Sequence, residues 1–107
     1  MIKTYNKLVR DRIPKIIEDS GSKCRTKILS DDEYLAMLDA KLREELDEYY
    51  RDKNLEELAD LLEVIYASAA ARGYSPQELE AARAAKRESR GGFDERILLL
   101  DVTTPDD

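Results

Sequence analysis

Residues 35–49 read Leu-Ala-Met-Leu-Asp-Ala-Lys-Leu-Arg-Glu-Glu-Leu-Asp-Glu-Tyr, with an apolar side chain every third or fourth position. This spacing is typical of one face of an α-helix. The apolar stripe consists of Leu35, Leu38, Leu42, Leu46 and Tyr49. Just before it, Ser30-Asp31-Asp32-Glu33 is a capping-box pattern, which marks a helix start. The sequence therefore predicts a long helix over about 31–52.

Two more helices follow, each with its own start and stop signals. Asn54 is placed to cap a second helix over about 55–72, and Gly73 is expected to end it in a left-handed conformation. Pro76 stands at the first position of a third helix, over about 76–90, where its missing N–H costs nothing. Antiparallel helices joined by such short connections favour a helical bundle.

The two ends of the chain are less regular. Pro14 predicts a short N-terminal helix with proline in its first turn. The segments 23–29 and 97–102 are short and partly apolar, and we consider a minor two-stranded pairing between them. The predicted fold class is all-α, formed by a single domain over 1–107.

Charge and composition exclude several classes of protein. The chain has 107 residues, no histidine and one cysteine, Cys24, and its net charge is −6. Without histidine there is neither a His-containing zinc site nor a Ser-His or Cys-His nucleophile. The acidic centre flanked by basic segments does not suit duplex nucleic acid, which favours one continuous basic face. No long apolar run or signal-peptide pattern is evident. A lone cysteine fits a reducing compartment, so we expect a cytoplasmic location and no membrane partner.

Two pairs of carboxylates interrupt the apolar pattern of the two central helices. Glu45 and Glu48 form one pair, and Glu57 and Asp60 form the other. Residues spaced i, i+3 lie one turn apart on the same side of a helix. Four carboxylates on neighbouring helices make a site for a hard divalent cation, because Mg²⁺ and Mn²⁺ prefer oxygen ligands.

Each pair also has a simpler explanation. Glu45 lies about 20° from Leu38 around the helix, inside the apolar stripe, and a buried carboxylate needs a cation or a basic side chain. The alternative for Glu45 is therefore a structural ion pair. Glu57 follows Asn54 by three residues, so it is also placed to complete that helix cap.

The motif Glu44-Glu45-x-x-Glu48 followed by Glu57-x-x-Asp60 resembles the all-α nucleoside triphosphate pyrophosphohydrolases, the MazG-like and phosphoribosyl-ATP pyrophosphohydrolase-like superfamily. Residues 5–14, Tyr-Asn-Lys-Leu-Val-Arg-Asp-Arg-Ile-Pro, look like the opening of a compact branch of it. Residues 86–93, Lys-Arg-Glu-Ser-Arg-Gly-Gly-Phe, are similar to its C-terminal segment. The resemblance covers most of the chain.

The resemblance implies Mg²⁺-dependent hydrolysis of a nucleoside triphosphate to its monophosphate and pyrophosphate, often to remove noncanonical nucleotides. By motif position, the resemblance implies that the four paired acids are metal ligands and that Glu44 is an accessory acid beside them. Glu45 or Glu48 is the candidate acceptor for the proton of the attacking water. Basic residues near both ends would hold phosphates; the candidates are Lys7, Arg10, Lys86 and Arg90. Phe93 would stack on a base or pack against the bundle.

Two other functions remain open at this point. One is a phosphoribosyl-ATP pyrophosphohydrolase of the same superfamily, and the other is a non-catalytic acidic helical module that only mediates oligomerisation. The 55–72 helix has a wider apolar arc than one layer of neighbours covers, so we expect a homodimer or a homotetramer.

Overall fold

A computed structural model of the chain describes residues 1–106, and this part of the molecule is mainly α-helical. The four helices are α1 (Ile13–Asp19), α2 (Asp31–Asp52), α3 (Leu55–Ala71) and α4 (Pro76–Arg90). They agree closely with the four helices that the sequence predicts. The chain divides into two compact units, Met1–Pro76 and a second that begins at Gln77. The prediction of a single domain over 1–107 stays a prediction.

Local hydrogen bonds fix the start of each central helix. Ser30 caps α2 with a complete capping box: its side chain accepts from the Glu33 N–H, and the Glu33 carboxylate accepts from the Ser30 N–H. Asn54 caps α3, where its side chain accepts from the Glu57 N–H at 3.0 Å. Only two residues connect the helices, and Lys53 takes a left-handed conformation (φ 54°) to make the turn. Both predicted caps are confirmed.

The end of α3 shows why glycine stands at position 73. Gly73 has a φ of 91°, a conformation that costs a side-chain-bearing residue free energy. Its N–H donates to the Ala70 carbonyl and the Tyr74 N–H donates to the Ala69 carbonyl. This pair of bonds is a Schellman motif, which satisfies carbonyls that the helix leaves free.

In the first unit, α2 packs against α3. Among the described residues, Leu38 and Val64 are the buried apolar side chains, and Glu45 is the buried charged one. The rest of the predicted stripe on α2 is half-buried or, at Leu46, exposed. Few apolar side chains therefore hold this hairpin together, and one of its three buried residues is a carboxylate.

The second unit contains α4 and the segment after it. An ion pair between Arg83 and Glu80 lies along α4, and Arg87 reaches Asp94 at 3.2 Å across the turn that ends the helix. Residues 97–102 follow as irregular chain with exposed side chains.

The predicted strand pairing is not seen, because neither 23–29 nor 97–102 is a strand in the part of the chain that the structure describes. Residues 23–29 alternate only weakly and carry several basic side chains, and Ile28 is exposed. A single extended segment cannot satisfy its own backbone groups, so weak alternation without a defined partner does not make a sheet. Within residues 1–106, no helix combines the length and the apolar character needed to span a bilayer.

Candidate metal centre

The α2–α3 hairpin brings the four predicted metal ligands together. Glu45 and Glu48 come from α2, and Glu57 and Asp60 come from α3. One carboxylate oxygen from each lies within 4.8 Å of the others. Each pair occupies one side of its helix because of the i, i+3 spacing. Because only two residues connect the helices, the two pairs also lie at the same level along the hairpin axis.

The size of this cluster suits a small divalent ion. Two oxygens on opposite sides of Mg²⁺ stand about 4.2 Å apart, since each Mg²⁺–oxygen bond is about 2.1 Å. The four oxygens, all within 4.8 Å of one another, therefore occupy a region only slightly wider than one such ion with its ligands.

Two of the oxygens are buried without a hydrogen-bond partner. They are Oε2 of Glu45 and Oε2 of Glu57. A buried carboxylate oxygen that accepts no hydrogen bond costs free energy, and native proteins avoid it unless something else uses the atom. A divalent cation bound between them would satisfy these oxygens.

Glu45 is the most buried of the four acids. Its side chain is 8% exposed, and Lys41 lies 3.2 Å from Oε1. Burial raises the pKa of Glu45 above its usual range, and the nearby Glu48 carboxylate raises it further, although Lys41 opposes both. The structural ion pair that the sequence left open is thus present, but it engages only one oxygen of Glu45.

Glu57 does not complete the cap of α3. The cap uses the Asn54 side chain and the Glu57 N–H, and no reciprocal bond from the Glu57 carboxylate occurs among the described residues. The carboxylate instead turns to the cluster, where its Oε2 is buried.

The accessory acid, Glu44, lies beside the cluster and is held by two lysines. Lys7 contacts its Oε1 at 2.8 Å and Lys41 contacts its Oε2 at 3.3 Å. Partial burial works against ionisation of Glu44, but the two lysines outweigh it and lower the pKa of its carboxyl. The hydrogen bond to Glu44 in turn raises the pKa of Lys7.

The other predicted phosphate-binding residues have different surroundings. Arg10 donates to Asp60 Oδ1 at 2.7 Å, so it already contacts one member of the cluster. Lys86 and Arg90 lie on α4 with exposed side chains, and Phe93 is 96% exposed. Phosphate binding by these basic residues and base stacking by Phe93 stay predictions.

Lys41 is a residue that the sequence-based reasoning missed. It precedes Glu44 by three residues and Glu45 by four, the two spacings at which opposite charges meet on a helix. The i, i+4 rule applied to Glu45 would have identified it. The contact between Arg10 and Asp60 has no comparable signal, because 50 residues separate the two.

No family model and no solved structure matches the chain. An uncharacterized protein of Mycolicibacterium smegmatis is 61% identical to it over 41 residues, which is 38% of this chain. The match spans 42% of that relative's length.

Millimolar Mg²⁺ or Mn²⁺ should raise the melting temperature of the protein. A ligand that binds only the folded state at 100 times its Kd contributes about 2.7 kcal/mol of stability. Thermal unfolding by circular dichroism, with and without the ion, measures the shift. Asp60→Asn should remove the shift, whereas Glu63→Gln, at an exposed acid of α3, should keep it. A wild-type melting temperature that neither ion changes would contradict the metal site.

Neutralising Glu45 should stabilise the metal-free protein. The pKa of Glu45 is raised in the folded state, so the folded protein loses stability when the pH rises through that pKa and the carboxyl ionises. In EDTA at pH 7.5, Glu45→Gln should raise the melting temperature by a few degrees, since about 1 kcal/mol shifts a domain of this size by roughly 4–8 °C. The gain should shrink as pH falls through the raised pKa of Glu45, because the wild-type carboxyl then takes up its proton.

The adjacent residue supplies the control for this measurement. The pKa of Glu44 is lowered, so its charge stabilises the fold above the usual carboxyl range and that stability is lost on acidification. Glu44→Gln should therefore lower the melting temperature at pH 7.5. Two variants that shift the melting temperature in the same direction would show that the two environments do not differ as described.

Proposed function

We propose that this protein is a Mg²⁺-dependent nucleotide pyrophosphohydrolase that converts a nucleoside triphosphate to its monophosphate and pyrophosphate. The observation that carries the proposal is the convergence of four carboxylates from α2 and α3, two of which bury an oxygen without a partner. The motif spacing adds the reaction class, through the resemblance to the MazG-like superfamily. Removal of noncanonical nucleotides is the role that this resemblance suggests.

The donor set fits the proposed ion. Glu45, Glu48, Glu57 and Asp60 would hold Mg²⁺ or Mn²⁺ through oxygen atoms alone, as hard cations prefer. When bound, the ion neutralises charge on the polyphosphate and polarises a phosphoryl oxygen. The fixed carboxylates keep that charge at one position relative to the hairpin, so the substrate phosphates are oriented before reaction.

Proton transfer and phosphate binding fall to the chain itself. No histidine is present, so a carboxylate is the proposed acceptor for the proton of the attacking water, and Glu45 or Glu48 is the proposed base. Lys7 and Arg10 reach the border of the cluster and are proposed to bind phosphate oxygens, together with Lys86 and Arg90.

Pyrophosphate release over a panel of nucleotides tests the function. We expect Mg²⁺-dependent release from at least one nucleoside triphosphate, and a drop of about a hundredfold or more in kcat/KM for Glu48→Gln, the equivalent of about 2.7 kcal/mol. Glu63→Gln should keep wild-type activity. Activity on phosphoribosyl-ATP alone would indicate the biosynthetic alternative, and no release from any nucleotide would favour the non-catalytic module.

Assembly and location belong to the same proposal. We propose an antiparallel helical bundle with the 76–90 helix as a further member, on the short connections that predict it. We also propose a cytoplasmic location, because the chain has one free cysteine. A homodimer is proposed, with a homotetramer as its alternative. The support is the exposed apolar stripe of α3, which consists of Leu55, Leu58, Leu62 and Tyr66.

This stripe is distinct from the side of α3 that meets α2. Leu62 lies about 160° around the helix from the buried Val64. With so few buried apolar residues in the hairpin, a second copy that covers the stripe would add apolar burial at about 25 cal/mol per Å². Contiguous exposed apolar surface is a common feature of association sites, which supports the proposal.

Substitution of Leu62 should test the proposed association. Glu at this position places a charge in the stripe, and we expect Leu62→Glu to shift the protein towards the 12.3 kDa mass of one chain. Light scattering coupled to size-exclusion chromatography measures the mass. Glu63→Gln is the matched control and should keep the wild-type mass. A wild-type protein already at 12.3 kDa would contradict the proposed oligomer.

A further inference from the structure

The N-terminal segment contacts both helices of the hairpin beside the acidic cluster. Lys7 donates to Glu44 on α2, and three residues later Arg10 donates to Asp60 on α3. The two contacts differ in their partners, because Glu44 is outside the four-carboxylate cluster and Asp60 is one of its members. Arg10 thus lies at the same carboxylate that the proposed ion would use.

We propose that Arg10 is an internal counter-cation of the cluster, which competes with a divalent ion for Asp60. This inference rests on the proposed metal site and adds a property that the motif does not contain. In the absence of an ion, the Arg10 guanidinium neutralises Asp60 across a distance of 2.7 Å. An ion at the cluster would take over that role, and Arg10 would leave Asp60.

The competition follows from charge. Asp60 Oδ1 already accepts a hydrogen bond from Arg10, and a divalent cation on the same carboxylate would lie close to the guanidinium. Like charges at such a separation repel each other, so the ion pair opposes binding of the ion. Both side chains are about half-exposed, and water and salt therefore moderate the effect.

Release of Arg10 would also have a use. A guanidinium that leaves Asp60 when the ion arrives is free to bind a phosphate, and its planar donors match phosphate oxygens well. The N-terminal segment would then change its partner with the state of the site. Binding of the ion would thereby prepare the phosphate-binding residue.

Mg²⁺ affinity measured by isothermal titration calorimetry, without nucleotide and at constant ionic strength, tests the proposal. Arg10→Gln should bind Mg²⁺ about two- to fivefold more tightly than the wild type, the range expected when an exposed ion pair is removed. Arg12→Gln removes the same charge from the same segment at an exposed residue without an ion pair among the described residues, so it should stay near the wild-type Kd. Arg10→Lys keeps the charge and should also remain close to the wild-type Kd.

The possible outcomes are separable. If Arg10→Gln binds Mg²⁺ no more tightly than Arg12→Gln, or more weakly than the wild type, Arg10 does not compete for Asp60 and this inference is wrong, while the metal site stands. If the wild type and all variants fail to bind Mg²⁺, the proposed function and this inference fall together. A circular dichroism spectrum for each variant establishes that it is folded.

Discussion

The buried carboxylate of Glu45 is the constraint on which the rest of the hairpin depends. It occupies a position where the helical pattern would accept leucine, on the same face of α2 as Leu38, and only one of its oxygens has a partner. Replacement of such a group by an apolar residue commonly stabilises a protein. A charge retained at one of the few buried positions, beside three other acids, is what the proposed metal site would require.

Basic side chains contact the cluster and its border on both helices. On α2, Lys41 contacts Glu45, a cluster member, and also Glu44, which Lys7 contacts as well. On α3, Arg10 contacts Asp60. Lys41 lies on the same helix as Glu45, within one turn, whereas Arg10 belongs to the N-terminal segment and is the more exposed of the two. Arg10 is therefore the basic group that can leave the cluster with the least change to the hairpin.

The sequence predicted the helices and the cluster well because both depend on short-range rules. Ser30 and Asn54 cap their helices through contacts within three residues, and the acid pairs follow from the spacing of a helix turn. The pairing of Arg10 with Asp60 spans 50 residues and could not be read from local spacing. Exposure was equally hard to predict. Leu46 fits the apolar stripe of α2 but is exposed, because periodicity does not show whether another part of the protein covers a given side chain. The segments 23–29 and 97–102 failed as strands for a related reason, since a strand exists only with a partner.

The two-residue connection between α2 and α3 has a consequence for the acidic cluster. A connection this short allows few arrangements of the two helices, so it holds Glu57 and Asp60 in line with Glu45 and Glu48. A longer connection would keep every acid but would leave their alignment to the packing of α2 against α3 alone. The left-handed turn at Lys53 therefore contributes to the geometry of the cluster, although Lys53 supplies no carboxylate to it.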